Sequence, residues 1–236
     1  KIMNDELAIP QKDPDAFLRV ILCLGRAMIT CGSEIRRVED TMSRIFIAYG
    51  ITEYDLHSIA SQIVITYRAP DGRHYTQSVR IGIPANNLGK LEQYNAIARR
   101  ICREMPDIPE IEQMLASVPD SPYGRFARPA EWLGYTIGAG GFCLFFGGSI
   151  RDAMAAALIA CVVFLMDHYL ELRSVNQFLY TLLASLMAGG LSVLLVRLSI
   201  GENVDHVMIG TIMLYIPSLN MTNGMRELVN ADTLAG

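Results

Sequence analysis

The sequence predicts a polytopic α-helical membrane protein, with at least four transmembrane helices preceded by an α+β cytosolic domain containing a β-hairpin. Three observations carry this. Of 44 Asp, Glu, Lys and Arg residues, 33 fall in residues 1–131 and 11 in residues 132–236. The second region holds charge-free apolar stretches near the ~20 residues that span ~30 Å of hydrocarbon. Between Ile59 and Ile83 the apolar period changes from helical to alternating. With 51% hydrophobic and 19% charged residues, disorder, collagen and a disulfide-rich secreted scaffold are excluded. A net charge of −4 argues against nucleic acid as a main partner.

The expected organisation is a cytosolic domain over 1–118, a linker over 119–131 and a transmembrane domain over 132–236. Asp13-Pro14 opens a helix as N-cap and first residue, and Phe17, Val20, Ile21, Leu24 and Met28 then share a face. Gly32 closes this helix, and Ser33 is expected to cap the next. That second helix turns Ile35, Val38, Met42, Ile45 and Phe46 inward and stops at Gly50. Ile63, Ile65 and Tyr67 alternate, Asp71-Gly72 turns, and Tyr75, Val79 and Ile81 return, which predicts the hairpin. Asn86 to Met105 reads as a third helix, with Leu88, Leu91, Tyr94, Ile97, Ala98 and Ile101 apolar, and Ile108 to Val118 as a fourth. Pro119, Pro122, Gly124 and Pro129 mark the linker.

The spans are expected near 132–150, 153–170, 174–197 and 207–225. Trp132 to Ile150 carries no charge, nor does Ala153 to Met166, which reaches Leu170 by including Asp167 and His168. Ser174 to Val196 runs 23 residues without one, and Val207 to Met225 is also free of charge. A soluble all-α core would show polar helix faces, which the first and third stretches lack. Arg125, Arg128, Arg173 and Arg226 fall on the side of residues 1–131, against Arg151 and Arg197 on the other, which places the N-terminal domain in the cytoplasm.

No P-loop, G-x-S-x-G or H-E-x-x-H motif occurs, so no catalytic residue, metal site or cofactor is expected. The odd count of five cysteines, without C-x-x-C spacing, reads as free thiols in a reducing compartment. His57 and His74 read as surface or hairpin-packing residues. Glu34, Arg37 and Glu39, with Arg36 and Asp40, form a charged helix face: either solvated, or a gating and docking contact. Asp152 either caps the helix after Gly147-Gly148-Ser149 or faces the transport path. Asp167 and His168 are either interfacial or a proton relay. The fourth stretch is the most informative. Pro217 breaks the helical ladder, and Ser218, Asn220, Thr222 and Asn223 follow at once. Unwound backbone is tolerated in hydrocarbon only beside protein or a water-filled cavity, as at transporter substrate sites. Arg226 can pair with a substrate carboxylate, with Glu227 or with lipid phosphate.

Three stretches together resemble the threonine/serine exporter family. Cys31-Gly32-Ser33-Glu34-Ile35-Arg36-Arg37-Val38-Glu39-Asp40-Thr41-Met42 resembles its Gly-Ala-Glu-x-x-Arg-Val-Glu-x-Thr helix start. Phe146-Gly147-Gly148-Ser149-Ile150-Arg151-Asp152 resembles its Phe-x-Gly-Gly-x-x-x-Asp junction between the first two membrane helices. Ile216-Pro217-Ser218-Leu219-Asn220-Met221-Thr222-Asn223-Gly224-Met225-Arg226-Glu227, with Asp232 and Gly236, resembles its Pro-Gly…Asn-x-x-Arg-Asp…Gly-Asp-x-x-x-Gly element. Ser218 and Ala231 stand where the family usually has Gly. The resemblance implies an inner-membrane exporter with an N-terminal cytosolic domain, driven by an ion or proton gradient. It also implies either one long chain or a longer subunit with a short membrane partner, exporting threonine and serine or small dicarboxylates such as succinate. A further membrane helix would follow Gly236, and the non-Met Lys1 suggests a missing N-terminus, so truncation at either end is expected.

The resulting expectation is a secondary transporter of small polar amino acids or a related small carboxylate, acting with a short partner subunit or as a homo-oligomer. Pro217, Ser218, Asn220, Asn223 and Arg226 would line the path, with Asp152 facing the same cavity. A membrane-anchored scaffold or sensor subunit, and a membrane-anchored hydrolase, are the alternatives.

Overall fold

The computed structural model describes residues 13–69, 71–82, 86–119, 127–171, 177–216 and 218–229. These are mostly helical, with one three-stranded antiparallel sheet. The chain divides into two compact units, Lys1–Pro122 with Ser218–Gly236, and Tyr123–Pro217.

In the first unit, α1 spans Pro14–Thr30 and α2 spans Ile35–Ala48. Asp13 caps α1 as expected, its carboxylate accepting from Ala16 N–H at 2.9 Å. Ser33 does not cap α2. The cap position belongs to Glu34, in extended backbone and with no side-chain bond to the helix, while the Ser33 hydroxyl donates to the Glu34 carbonyl. The expected hairpin is the second half of a meander: β1 (Tyr54–Ile59), β2 (Gln62–Arg68) and β3 (His74–Arg80), in that order. β2 pairs with β1 from Tyr54 opposite Tyr67, and with β3 from Arg68 opposite His74. β1 escapes the sequence pattern because its inward residues are Tyr54, Leu56 and Ser58, and only Ser58 is fully buried. α3 (Leu88–Glu104) starts at Asn87, whose side chain accepts from Lys90 N–H, and α4 spans Ile108–Ala116.

Phe17, Leu24, Met28, Val38, Met42, Phe46, Ile63, Ile65, Tyr67 and Ile101 form one core from α1, α2, β2 and α3. Burying such side chains stabilises by roughly 1.5–3 kcal/mol each. Leu88, one of the apolar residues of this helix, is exposed because it stands in the first turn of α3, ahead of the buried Leu91 face. Tyr49, closing α2, donates its hydroxyl to the Pro106 carbonyl at 2.7 Å and ties α2 to the α3–α4 turn. α9 (Ser218–Val229) completes this unit.

The second unit is a helical assembly of α5 (Ala127–Phe145), α6 (Ile150–Glu171), α7 (Gln177–Arg197) and α8 (Val204–Ile212). Ala127–Glu131, expected in the linker, already lies in α5. Pro129 falls in its first turn, where no amide is needed. The interior is rich in small residues, Ala139, Ala155, Ala156, Ala160 and Ala188 with Cys143, and also holds Ile159, Val163 and Val207. The outer faces carry the large apolar side chains, among them Ile137, Phe145, Leu158, Leu165 and Leu186. Gly210 of α8 lies against α5: a Cβ there would stand 2.7 Å from the Ala139 carbonyl oxygen and 2.8 Å from Cys143 Cβ.

Among the described residues, α7 is the one helix long and apolar enough to cross a membrane, over Leu179–Arg197. α5 and α6 have the length, at about 1.5 Å per residue. In α5, Gly134, Gly138, Gly140 and Gly141 join Arg128 and Glu131 to dilute its hydropathy; α6 carries Arg151, Asp152 and Asp167. The stretch expected as a fourth span, 207–225, is divided between α8 and α9. The nine residues of α8 rise only about 13 Å.

Candidate functional site

Two of the three motif stretches meet inside the first unit. α1 ends in a turn where Gly32 takes φ +95, a conformation open to glycine at little cost. A Cβ on Gly32 would stand 2.7 Å from Asn86 Oδ1 and 3.1 Å from Leu219 of α9. The Gly32 carbonyl accepts from Asn223 Nδ2 at 3.1 Å. Two residues on, the Glu34 carboxylate accepts from the Arg226 guanidinium at 2.9 Å. Asn223 and Arg226 are three apart on α9 and share a face. The Glu34 side chain is 13% exposed and that of Arg226 58%, so the acid is sheltered and the base reaches solvent. Burial pushes the neighbouring Cys31 thiol above its ordinary pKa.

The other residues of the charged α2 face part company. Glu39 accepts from the backbone N–H of Ser58 at 2.7 Å and ties α2 to β1. Arg37 is exposed, and its carbonyl accepts from the Thr41 hydroxyl.

The third motif stretch lies in the second unit and surrounds Asp152, which is 1% exposed. Its Oδ2 accepts from Ser149 N–H at 3.0 Å and from the Ser149 hydroxyl at 3.1 Å. Its Oδ1 accepts from Glu202 N–H at 2.7 Å and Asn203 N–H at 2.8 Å. Ser149 receives the Asp152 amide in return, a reciprocal cap at the start of α6. One carboxylate therefore fastens the α5–α6 turn to the α7–α8 turn, with His206 Nδ1 at 3.9 Å from Oδ2. Arg151 and Glu202 pair above it at 3.5 Å.

Asp167, near the end of α6, accepts a hydrogen bond from the Tyr135 hydroxyl of α5. Ser218 opens α9, exposed, its carbonyl accepting from the Thr222 hydroxyl. Pro217 and the side chains of Asn220 and His168 lie outside the described residues. Among the described residues no group of three or more His, Cys, Asp or Glu could hold a metal ion.

Sequence reasoning singled out Glu34, Asp152, Asn223 and Arg226 but not their partners. The Ser149-x-x-Asp152 spacing was a readable signal for the cap. The Gly32 carbonyl and the Glu202 and Asn203 amides carry no side-chain signature, and only the tertiary fold reveals them.

A family model described as "Putative threonine/serine exporter" matches residues 19–236. No curated protein and no solved structure matches the chain.

Proposed function

The chain belongs to the threonine/serine exporter family, and from that premise we propose that it is a secondary transporter moving small polar amino acids such as threonine and serine outward across the inner membrane. The observation that carries the reading is the pairing of Arg226 with Glu34 beside Asn223. A zwitterionic amino acid has a carboxylate that competes with Glu34 for the guanidinium, and an ammonium that takes the place of Arg226 at Glu34. The pair is thus matched to such a cargo with no net change of charge. A dicarboxylate gains Arg226 but meets Glu34 as a like charge, so it is the weaker substrate class.

The composition of the second unit supports a bilayer setting. Helices that bury alanine and display Leu, Ile and Phe suit lipid, because small residues allow close helix approach while large apolar ones meet acyl chains. In this reading α5, α6 and α7 are the polytopic part, and residues 1–118 are the cytosolic domain. Transport is gradient-driven, with Asp167 and His168 as a relay for the coupling proton. Ser218 lies on the same helix as Asn223, and Pro217 and Asn220 are proposed path residues by their place in the motif. Asp152 holds the helix junction that keeps α6 and α8 in register, and Glu39 braces α2 beneath Glu34. A short partner subunit or further copies of the chain complete the carrier.

The test is counterflow of labelled serine, threonine and succinate in proteoliposomes, with and without a candidate short partner. Saturable serine or threonine uptake that exceeds succinate uptake is expected. Uptake of none of the three under either condition contradicts the reading.

A further inference from the structure

α2 and α3 face each other across a cavity of about 540 Å³ within the first unit. From α2 it is lined by Arg37, Asp40, Thr41 and Arg44, and from α3 by Asn95, Arg99 and Arg103. Four arginines and one aspartate thus line one groove between two helices, in a chain whose overall charge is −4. Two of the arginines pair with acids: Arg44 with Asp40 at 2.9 Å and Arg103 with Glu104 at 2.7 Å. Arg37 and Arg99 form no ion pair among the described residues, and they stand on opposite walls. Ala98 and Cys102 provide an apolar floor between them.

We propose that this cavity is a binding site for a small soluble phosphomonoester, gripped between Arg37 and Arg99. A guanidinium donates two parallel hydrogen bonds to a phosphate, so an arginine on each wall suits a dianion better than a single carboxylate. The volume lies within the range of small-molecule sites and exceeds what inorganic phosphate fills. The Asn95 amide donates to the Leu91 carbonyl, which leaves its oxygen to accept from the organic part of the ligand. The lining comes from two helices and surrounds a volume of small-molecule size, which favours a discrete ligand over the face of an anionic bilayer. The proposal rests on α2 and α3 alone and stands apart from the transport reading.

The test is titration of the purified full chain, in detergent and in phosphatidylcholine nanodiscs, with AMP, adenosine and inorganic phosphate. AMP is expected to bind, with adenosine at least tenfold weaker and phosphate intermediate. Loss of one charged fork costs roughly tenfold or more in affinity, so Arg37→Ala and Arg99→Ala each weaken AMP by that factor. Arg37→Lys and Arg99→Lys keep part of the affinity, and unchanged melting curves for these variants separate a lost contact from a lost fold. AMP affinity that does not respond to either arginine overturns the proposal, as does absence of AMP binding. Binding of phosphatidylglycerol vesicles that depends on Arg37 and Arg99, without AMP binding, also overturns it and makes the groove a membrane contact.

Discussion

Arg226 and Glu34 lie 192 positions apart and meet at 2.9 Å, joining the start of α2 to the face of α9. Their unequal exposure sets what the contact can do. A half-exposed guanidinium loses much of its Coulomb attraction to solvent, so the pair stabilises the fold by about 1 kcal/mol or less. Glu34→Gln and Arg226→Gln should therefore melt within a few degrees of the native chain. Export should fall about tenfold or more in each, because the cargo loses a charged partner. The charge-swapped double variant, Glu34→Arg with Arg226→Glu, should regain the melting temperature. Efflux from cells alongside thermal melts of the purified protein checks both parts, and a swap that also restores full export would make the pair a structural clasp only.

Asp152 should behave in the opposite way. Its four accepted hydrogen bonds come from donors in two turns, and removing a buried acceptor strands those donors. Asp152→Ala is expected to destabilise the protein by about 3 kcal/mol. Asp152→Asn should cost nearly as much, since the new amide points a donor at backbone N–H groups. Thermal unfolding in detergent decides this; an Asn variant with native stability and lost export would return Asp152 to the transport path.

The close approach at Gly210 makes a third prediction. A methyl group there collides with the α5 backbone at Ala139, so Gly210→Ala should cost about 1–3 kcal/mol by forcing α8 away. Gly190, whose added Cβ meets nothing within 4 Å, is the matched control, and Gly190→Ala should be neutral or slightly stabilising. Melting temperatures of the two variants provide the comparison.

How much of this was legible in the sequence depends on the kind of contact. The Asp13 cap, the inward faces of α1 and α2 and the β2–β3 hairpin follow from local rules, and the structure contains them. β1 was not legible, because Tyr54, Leu56 and Ser58 make a weakly apolar alternation that only pairing with β2 stabilises. Pro217 pointed to an interruption of the last apolar stretch, and the stretch is divided between α8 and α9. That α9 then joins the first unit depends on Leu219, Asn223 and Arg226 meeting Gly32 and Glu34, long-range contacts that no periodicity encodes. Candidate site residues were legible as unusual polar groups in apolar stretches; their partners are largely backbone atoms.

Thiol reactivity supplies a fourth prediction. Burial raises the pKa of Cys31 and Cys102, which keeps them as neutral thiols at pH values where an ordinary cysteine begins to ionise. Cys23 is exposed on α1. Iodoacetamide at pH 8 should therefore modify Cys23 first and the half-buried Cys102 more slowly, with Cys31 protected until denaturant is added. Peptide mapping of a labelling time course measures the order, and early modification of Cys31 would mean that the turn beneath Glu34 opens readily.

The most direct measurement of the central claim is serine counterflow into proteoliposomes by the native chain and by Arg226→Ala, at equal reconstituted protein. Saturable serine uptake by the native chain and at least about a tenfold loss in the variant are expected. Equal uptake by the two would contradict the claim, because the cargo would then be recognised without the guanidinium that faces Glu34.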